Sequence, residues 1–103
     1  MLGFTVTGSE GTIDHIDYEN NENVTWTFET DCDSVELNSS FFELESGYDM
    51  LTIAGVEHTG STPVSQTVEL GSFVMNFYSD SSVAQGGFSL IWACGSTGTR
   101  TNV

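Results

Sequence analysis

Hydrophobic residues recur at every second position in this chain, in short runs separated by turn residues, and that rhythm leaves little to build except sheets. Val24, Trp26 and Phe28 alternate with Thr25, Thr27 and Glu29, which gives one apolar and one polar face, the pattern of a half-buried strand. The same period runs through Val35 and Leu37, through Leu51 and Ile53, through Phe73, Met75 and Phe77, and through Phe88, Leu90 and Trp92. Weaker strand candidates cover Phe4 to Thr7, Gly11 to Ile16 and Gln66 to Leu70. The breaks carry turn chemistry: Gly8-Ser9-Glu10-Gly11, Glu19 to Asn23, Ser46-Gly47, Gly60-Ser61-Thr62-Pro63, Gly71-Ser72 and Gln85-Gly86-Gly87. No window repeats apolar residues at helical spacing over three turns, so no substantial helix is expected. Many short strands with Gly-rich turns predict an all-β fold, an antiparallel β-sandwich or jelly roll. The 103 residues suffice for one such domain. It is expected over 1–95, with a small, polar, linker-like tail over 96–103, as in a domain cut from a longer protein.

Charge narrows the function. Fifteen acidic residues stand against one basic residue, Arg100, for a formal net charge of −14. Nucleic acid and anionic membrane surfaces both require positive charge and are excluded as natural partners. No run approaches the roughly 20 apolar residues of a membrane span, and Met1-Leu2-Gly3-Phe4 lacks the charged and apolar regions of a signal peptide. Such acidity suits divalent cations, cationic ligands or a high-salt setting, while plain solubility accounts equally for much of it. Catalytic patterns are missing. His15 and His58 are isolated, without HExxH or CxxC, and Asp14-His15 has no G-x-S-x-G elbow to serve. His58 falls in the stretch Gly55 to Gly60, read as a loop with an exposed histidine. With a single cationic side chain, stabilisation of an oxyanion or phosphate is nearly out of reach. The chain is expected to bind rather than catalyse.

Cys32 and Cys94 allow one intramolecular disulfide, or two buried thiols in a reducing compartment. A bond between them closes a loop of about 60 residues and contributes roughly 4 kcal/mol by loop entropy. The sequons Asn23-Val24-Thr25 and Asn38-Ser39-Ser40 favour an extracellular glycoprotein.

Seven further pieces occur in order: Gly11-Thr12-Ile13, Tyr18-Glu19-Asn20-Asn21, Thr25-Trp26-Thr27-Phe28, Phe42-Glu43-Leu44-Glu45, Tyr48-Asp49-Met50-Leu51-Thr52-Ile53, Phe77-Tyr78-Ser79-Asp80 and Gly87-Phe88-Ser89-Leu90. Together, over roughly residues 11 to 94, they resemble the CUB domain of complement-associated proteases, procollagen-processing proteinases and spermadhesins. That family runs G-x-I, Y-P-N-N, C-x-W-x-I, F-x-L-E, Y-D-x-L-x-I, F-x-S-D and G-F. The chain departs from it at the first family disulfide, whose positions hold Val24 and Ser46, and in a shorter loop before Tyr48-Asp49. The resemblance implies that Cys32, opening one strand, meets Cys94, closing the last.

The resemblance also implies a calcium site at one end of the sandwich. Glu45, Asp49 and Asp80 take the positions of the family's acidic ligands, Tyr18 that of the tyrosine orienting a carboxylate, and Ser82 or Val83 that of the carbonyl donor. Chemistry agrees, since calcium takes six to eight oxygens at about 2.3–2.6 Å, and three bare carboxylates together would repel one another. Ordinary strand-end acids are the plainer alternative, and the short Ser46-Gly47 loop leaves room for Glu43 to replace Glu45. Phe41 or Phe42, Tyr48 and Tyr78 are candidates for an aromatic contact surface, with at least two of them expected in the core. The implied role is a recognition or adhesion module of a larger extracellular protein, whose carboxylates receive a Lys or Arg from a protein partner. Glycan binding and a metal-free structural spacer are the alternatives.

Overall fold

A computed structural model describes residues 2–95; the expected tail over 96–103 and Arg100 lie outside the described residues. Nine strands form two sheets: β1 (Leu2–Val6), β2 (Glu10–Ile16), β3 (Asn23–Glu29), β4 (Val35–Glu43), β5 (Met50–Ile53), β6 (Val56–His58), β7 (Ser65–Val68), β8 (Ser72–Tyr78) and β9 (Gly87–Cys94). One sheet has the order β1-β3-β8-β5-β6 and the other β2-β9-β4-β7. Among the described residues there is no helix.

The alternation read from the sequence is the alternation of burial. Val24, Trp26 and Phe28 of β3 face Phe73, Met75 and Phe77 of β8 in register, and all six are buried. Phe88, Leu90 and Trp92 close the core from β9. Rings pack edge to face or stacked, as Phe28 does on Phe73 at 4.5 Å and on Trp92 at 5.4 Å; such pairs add about 0.5–1.5 kcal/mol beyond area burial. In β4 the buried set changes phase, from Val35 and Leu37 to Phe42. A bulge between Ser39 and Phe41 causes it, because one extra residue exchanges the two faces of everything after it.

Three expectations need correction, and the expected antiparallel sandwich has one exception: β1 pairs parallel to β3, Leu2 opposite Val24 and Val6 opposite Phe28. The path of the chain decides this, since Thr7 to Ser9 carries it from β1 into the other sheet rather than back along β3. Cys32 lies in the connection before β4, not at the opening of a strand. The stretch around His58 is β6, whose pairing with β5 brings His58 Nε2 to within 2.6 Å of Gln66 Oε1 on β7. His58 is thus half-buried, a link across the open side of the sandwich. Of the four aromatic candidates only Phe42 joins the core, while Phe41, Tyr48 and Tyr78 are exposed.

The β5–β6 hairpin turns on Ala54 and Gly55, both with positive φ (48° and 88°). Alanine is disfavoured there by roughly 1 kcal/mol, and Asn-Gly is the preferred pair for this turn. Ala54→Asn is expected to raise Tm by about 4–8 °C, the equivalent of about 1 kcal/mol in a domain of this size. A melt unchanged within one degree counts against this reading of the turn.

Cys32 and Cys94 form a disulfide with a Cα–Cα distance of 5.2 Å. It ties the start of the β4 region to the end of β9, and β4 and β9 are hydrogen-bonded neighbours.

Candidate metal centre

Three segments meet where β4, β5 and β8 end or begin. Glu45 and Asp49 bound the turn between β4 and β5, and Asp80 follows β8 by two residues. The turn closes on itself through Tyr48 N and Asp49 N, both donating to Glu45 O at 3.1 and 3.0 Å. Gly47 supplies a positive φ of 81° within it, where a side chain would be strained. Thr59, just past β6, stitches the turn from outside. Its hydroxyl donates to Asp49 O at 2.7 Å and accepts from Gly47 N at 2.9 Å.

The centre of the arrangement is Asp49, whose exposure is 0%. Its Oδ2 accepts a short hydrogen bond from the Tyr18 hydroxyl, and its Oδ1 accepts from Asp80 N at 3.0 Å. Tyr18 leaves β2 through Asp17, which has a φ of 55°, and packs edge-on against Phe77 at 4.8 Å. Its oxygen also accepts from Glu45 N at 3.3 Å. One phenol therefore touches both acidic residues of the β4–β5 turn. Burial first, then the hydrogen bond to Asp49, pushes the Tyr18 hydroxyl up to about 12, so it remains a donor throughout the physiological range.

One oxygen from each of Glu45, Asp49 and Asp80 lies within 4.8 Å of the others. Two oxygens on one calcium ion at about 2.4 Å are at most about 5 Å apart, so a single ion can be shared by the three. Glu45 Oε1 is buried and has no hydrogen-bond partner. Burial, followed by the negative charges of Asp80 and Asp49, holds the Glu45 carboxyl above the usual carboxylate range. A buried carboxylate oxygen without a donor is costly, and a cation supplies what is missing. The residues therefore fit a hard divalent ion: oxygen donors only, three of them carboxylate, with Asp49 keeping lone pairs beyond the two it already uses.

The shortened Ser46-Gly47 loop does not displace Glu45. Glu43 points outward from β4 and is absent from the cluster. Ser82 lies in the segment before β9, where its N donates to Asp80 Oδ1 at 3.2 Å. Val83 adopts a φ of 59°, rare for a β-branched residue, and lines an open groove of about 790 Å³ with Glu43, Glu45, Thr59 and Gln85. Tyr48 is 64% exposed beside Asp49, and Tyr78 is exposed on the outer face of β8. Asn23 begins β3 and Asn38 lies within β4, both exposed. Thr59 and Ser79 belong to the centre without having been singled out from the sequence. Only the F-x-S-D pattern hinted at Ser79, and nothing local marks Thr59.

The fold matches solved domains. The MASP-1 CUB2 domain bound to Ca2+ aligns with a TM-score of 0.73 at 23% identity, over 86% of this chain and 96% of that one. This chain has the CUB fold. The CUB1-EGF-CUB2 domains of rat MASP-1 align at 0.75 and 23% identity, over 86% of this chain and 39% of that one. The full extracellular region of zebrafish Gpr126/Adgrg6 aligns at 0.71 and 26% identity, over 86% of this chain and 14% of that one. No family model matches the sequence, and no curated protein does. The likeness to CUB domains is thus carried by structure, and the acidic cluster by the side chains of this chain.

Proposed function

We propose that this CUB domain is an extracellular, calcium-dependent recognition module. The observation that carries the reading is the cluster of Glu45, Asp49 and Asp80 oxygens within 4.8 Å, in which the Glu45 carboxylate also has a buried oxygen, Oε1, without a partner. Glu45, Asp49 and Asp80 would hold the ion, with Tyr18 fixing Asp49 and a carbonyl of Ser82 or Val83 as a further donor. The MASP-1 CUB2 domain, of the same fold, is bound to Ca2+. Bound calcium would supply positive charge that joins the β4–β5 turn to the segment after β8. The carboxylates left facing outward, in a chain of net charge −14, suit a Lys or Arg side chain of a protein partner and speed its approach. Exposed Tyr48 offers an aromatic contact at the rim. The disulfide and the two exposed sequon asparagines, Asn23 and Asn38, support an oxidising, secretory setting.

A second reading, glycan binding, draws on the groove beside Glu45, where Ser46, Thr59, Ser61, Thr62 and Gln85 present hydroxyls and an amide. A glycan array with and without calcium separates it from a protein ligand.

Calorimetric titration is expected to show one calcium site. At one hundred times Kd the ion stabilises by about 2.7 kcal/mol, a Tm gain of about 10–20 °C in a domain of this size. Glu45→Gln is expected to weaken binding about tenfold or more. No heat and no Tm change in the unsubstituted domain would leave the cluster a bare acidic patch and overturn the reading.

A further inference from the structure

Outside the acidic cluster, a buried serine closes a second set of contacts. Ser79 is 1% exposed, and its hydroxyl and backbone N–H are both engaged with the β2–β3 loop. Its hydroxyl donates to Glu19 O at 2.6 Å and accepts from Glu22 N at 2.8 Å, and its own N donates to Glu22 O at 3.0 Å. The next residue continues the clasp, with Asn21 N donating to Asp80 O at 2.8 Å. Asp80 N then donates to Asp49 Oδ1. The backbone of Asp80 is thereby held on one side by the loop and on the other by Asp49.

The loop itself is tied by Glu22. One carboxylate oxygen accepts from Glu19 N at 2.8 Å, and the other lies 2.6 Å from His15 Nε2. Since a carboxylate only accepts, His15 is the donor. His15 is seated against the rings of Trp26, Phe77 and Phe88, at 5.7, 5.1 and 5.7 Å. The path from core to cluster therefore runs His15, Glu22, Ser79, Asp80. Of these four only Asp80 belongs to the acidic cluster; His15, Glu22 and Ser79 stand behind it.

We infer that Ser79 and Glu22 are positioning residues for the metal centre, Ser79 fixing the backbone that carries Asp80 and Glu22 fixing the loop on which Ser79 bears. The inference rests on the calcium reading given above. Partners that orient metal ligands typically change affinity by about 10–100-fold when removed, because an ion that needs several oxygens at set distances is sensitive to the placement of each.

The test is calcium titration, with melting of the metal-free protein, on the unsubstituted domain and four variants. Ser79→Ala and Glu22→Ala are expected to bind calcium about tenfold or more weakly while folding at the titration temperature. Glu22→Gln, whose amide oxygen can still accept from Glu19 N and whose NH2 can donate to His15 Nε2 once the imidazole carries its proton on Nδ1, is expected to bind within a few-fold of the unsubstituted domain. Val68→Ala, a core truncation on β7 away from the clasp, is expected to lower Tm and leave the calcium Kd unchanged. Should Ser79→Ala and Glu22→Ala bind within twofold of the unsubstituted domain, or Val68→Ala weaken binding as much as they do, the positioning role falls and the calcium reading stands. If Ser79→Ala does not fold, Glu22→Ala decides alone. If the unsubstituted domain binds no calcium, both fall together.

Discussion

Asp49→Asn is expected to erase the response to calcium and leave the metal-free domain about as stable as before, whereas Asp49→Ala is expected to lose both. The two substitutions separate charge from hydrogen bonding at the most buried acidic residue of the fold. Asparagine retains an oxygen for Asp80 N, and the Tyr18 hydroxyl can turn to accept from the new amide. It removes one of three clustered negative charges, which relieves repulsion on Glu45, whose carboxyl is already held above its usual range. Without metal, these effects offset the small loss in hydrogen-bond strength. With metal, one carboxylate fewer at the centre of the cluster is decisive. Alanine instead leaves the buried Tyr18 hydroxyl and the part-buried Asp80 N without their acceptor. Each stranded group costs about 1–3 kcal/mol, so a net loss of about 2–4 kcal/mol is expected after the relief of repulsion. Melting curves in chelator and in millimolar calcium check all four combinations. An Asp49→Asn domain that still gains Tm with calcium would place the ion elsewhere.

Removing the disulfide carries the other large effect. Cys32 and Cys94 are separated by 62 residues, and opening a loop of that size costs about 4 kcal/mol in unfolded-state entropy. The double variant Cys32→Ser/Cys94→Ser is expected to melt at least about 15 °C lower. Its calcium Kd, measured where it remains folded, is expected to be unchanged. The reason is distance along the strands: Val35 pairs with Cys94 while Glu43 pairs with Gly87, which puts the bond and the acidic cluster at opposite ends of β4 and β9. A joint loss of stability and affinity would mean that the two ends are coupled through the core.

Much of the fold was legible because burial alternates cleanly in β3, β8 and β9, so the period of two appears directly in the residue types. It was less legible where an edge spoils the alternation. Strand β6 has no fully buried residue, and Val-Glu-His reads as loop because its partner, β5, sets it rather than its own pattern. The parallel pairing of β1 left no trace either. Leu2 and Phe4 look like any exposed apolar pair, and pairing direction is decided by the path of the chain after Val6. In the acidic cluster, Glu45, Asp49, Asp80 and Tyr18 were found because four motifs each contribute one residue. Thr59 escaped because its role is to bond backbone atoms of a distant turn, which any hydroxyl in the right place does. Ser79 differs from the neighbouring serines only in being buried, and burial of a polar residue cannot be read from type alone.

The parallel strand β1 has a mechanical consequence. Leu2 lies beside Val24, near the acidic cluster, and Gly95 follows Cys94 at the other end, so the first and last described residues sit at opposite ends of the sandwich. Tension applied through those two points drags β1 lengthwise along β3 and loads all its rungs simultaneously, instead of peeling them one after another. Should β1, β2 and β3 give way, the covalent link at Cys32 stops the extension. Only about 30 residues, roughly 100 Å of extended chain, can pay out before the pull reaches that link, and residues 32 to 94 stay bypassed as a folded or at least closed loop. In series with other modules, such a domain would behave as a stiff joint with a short, fixed travel.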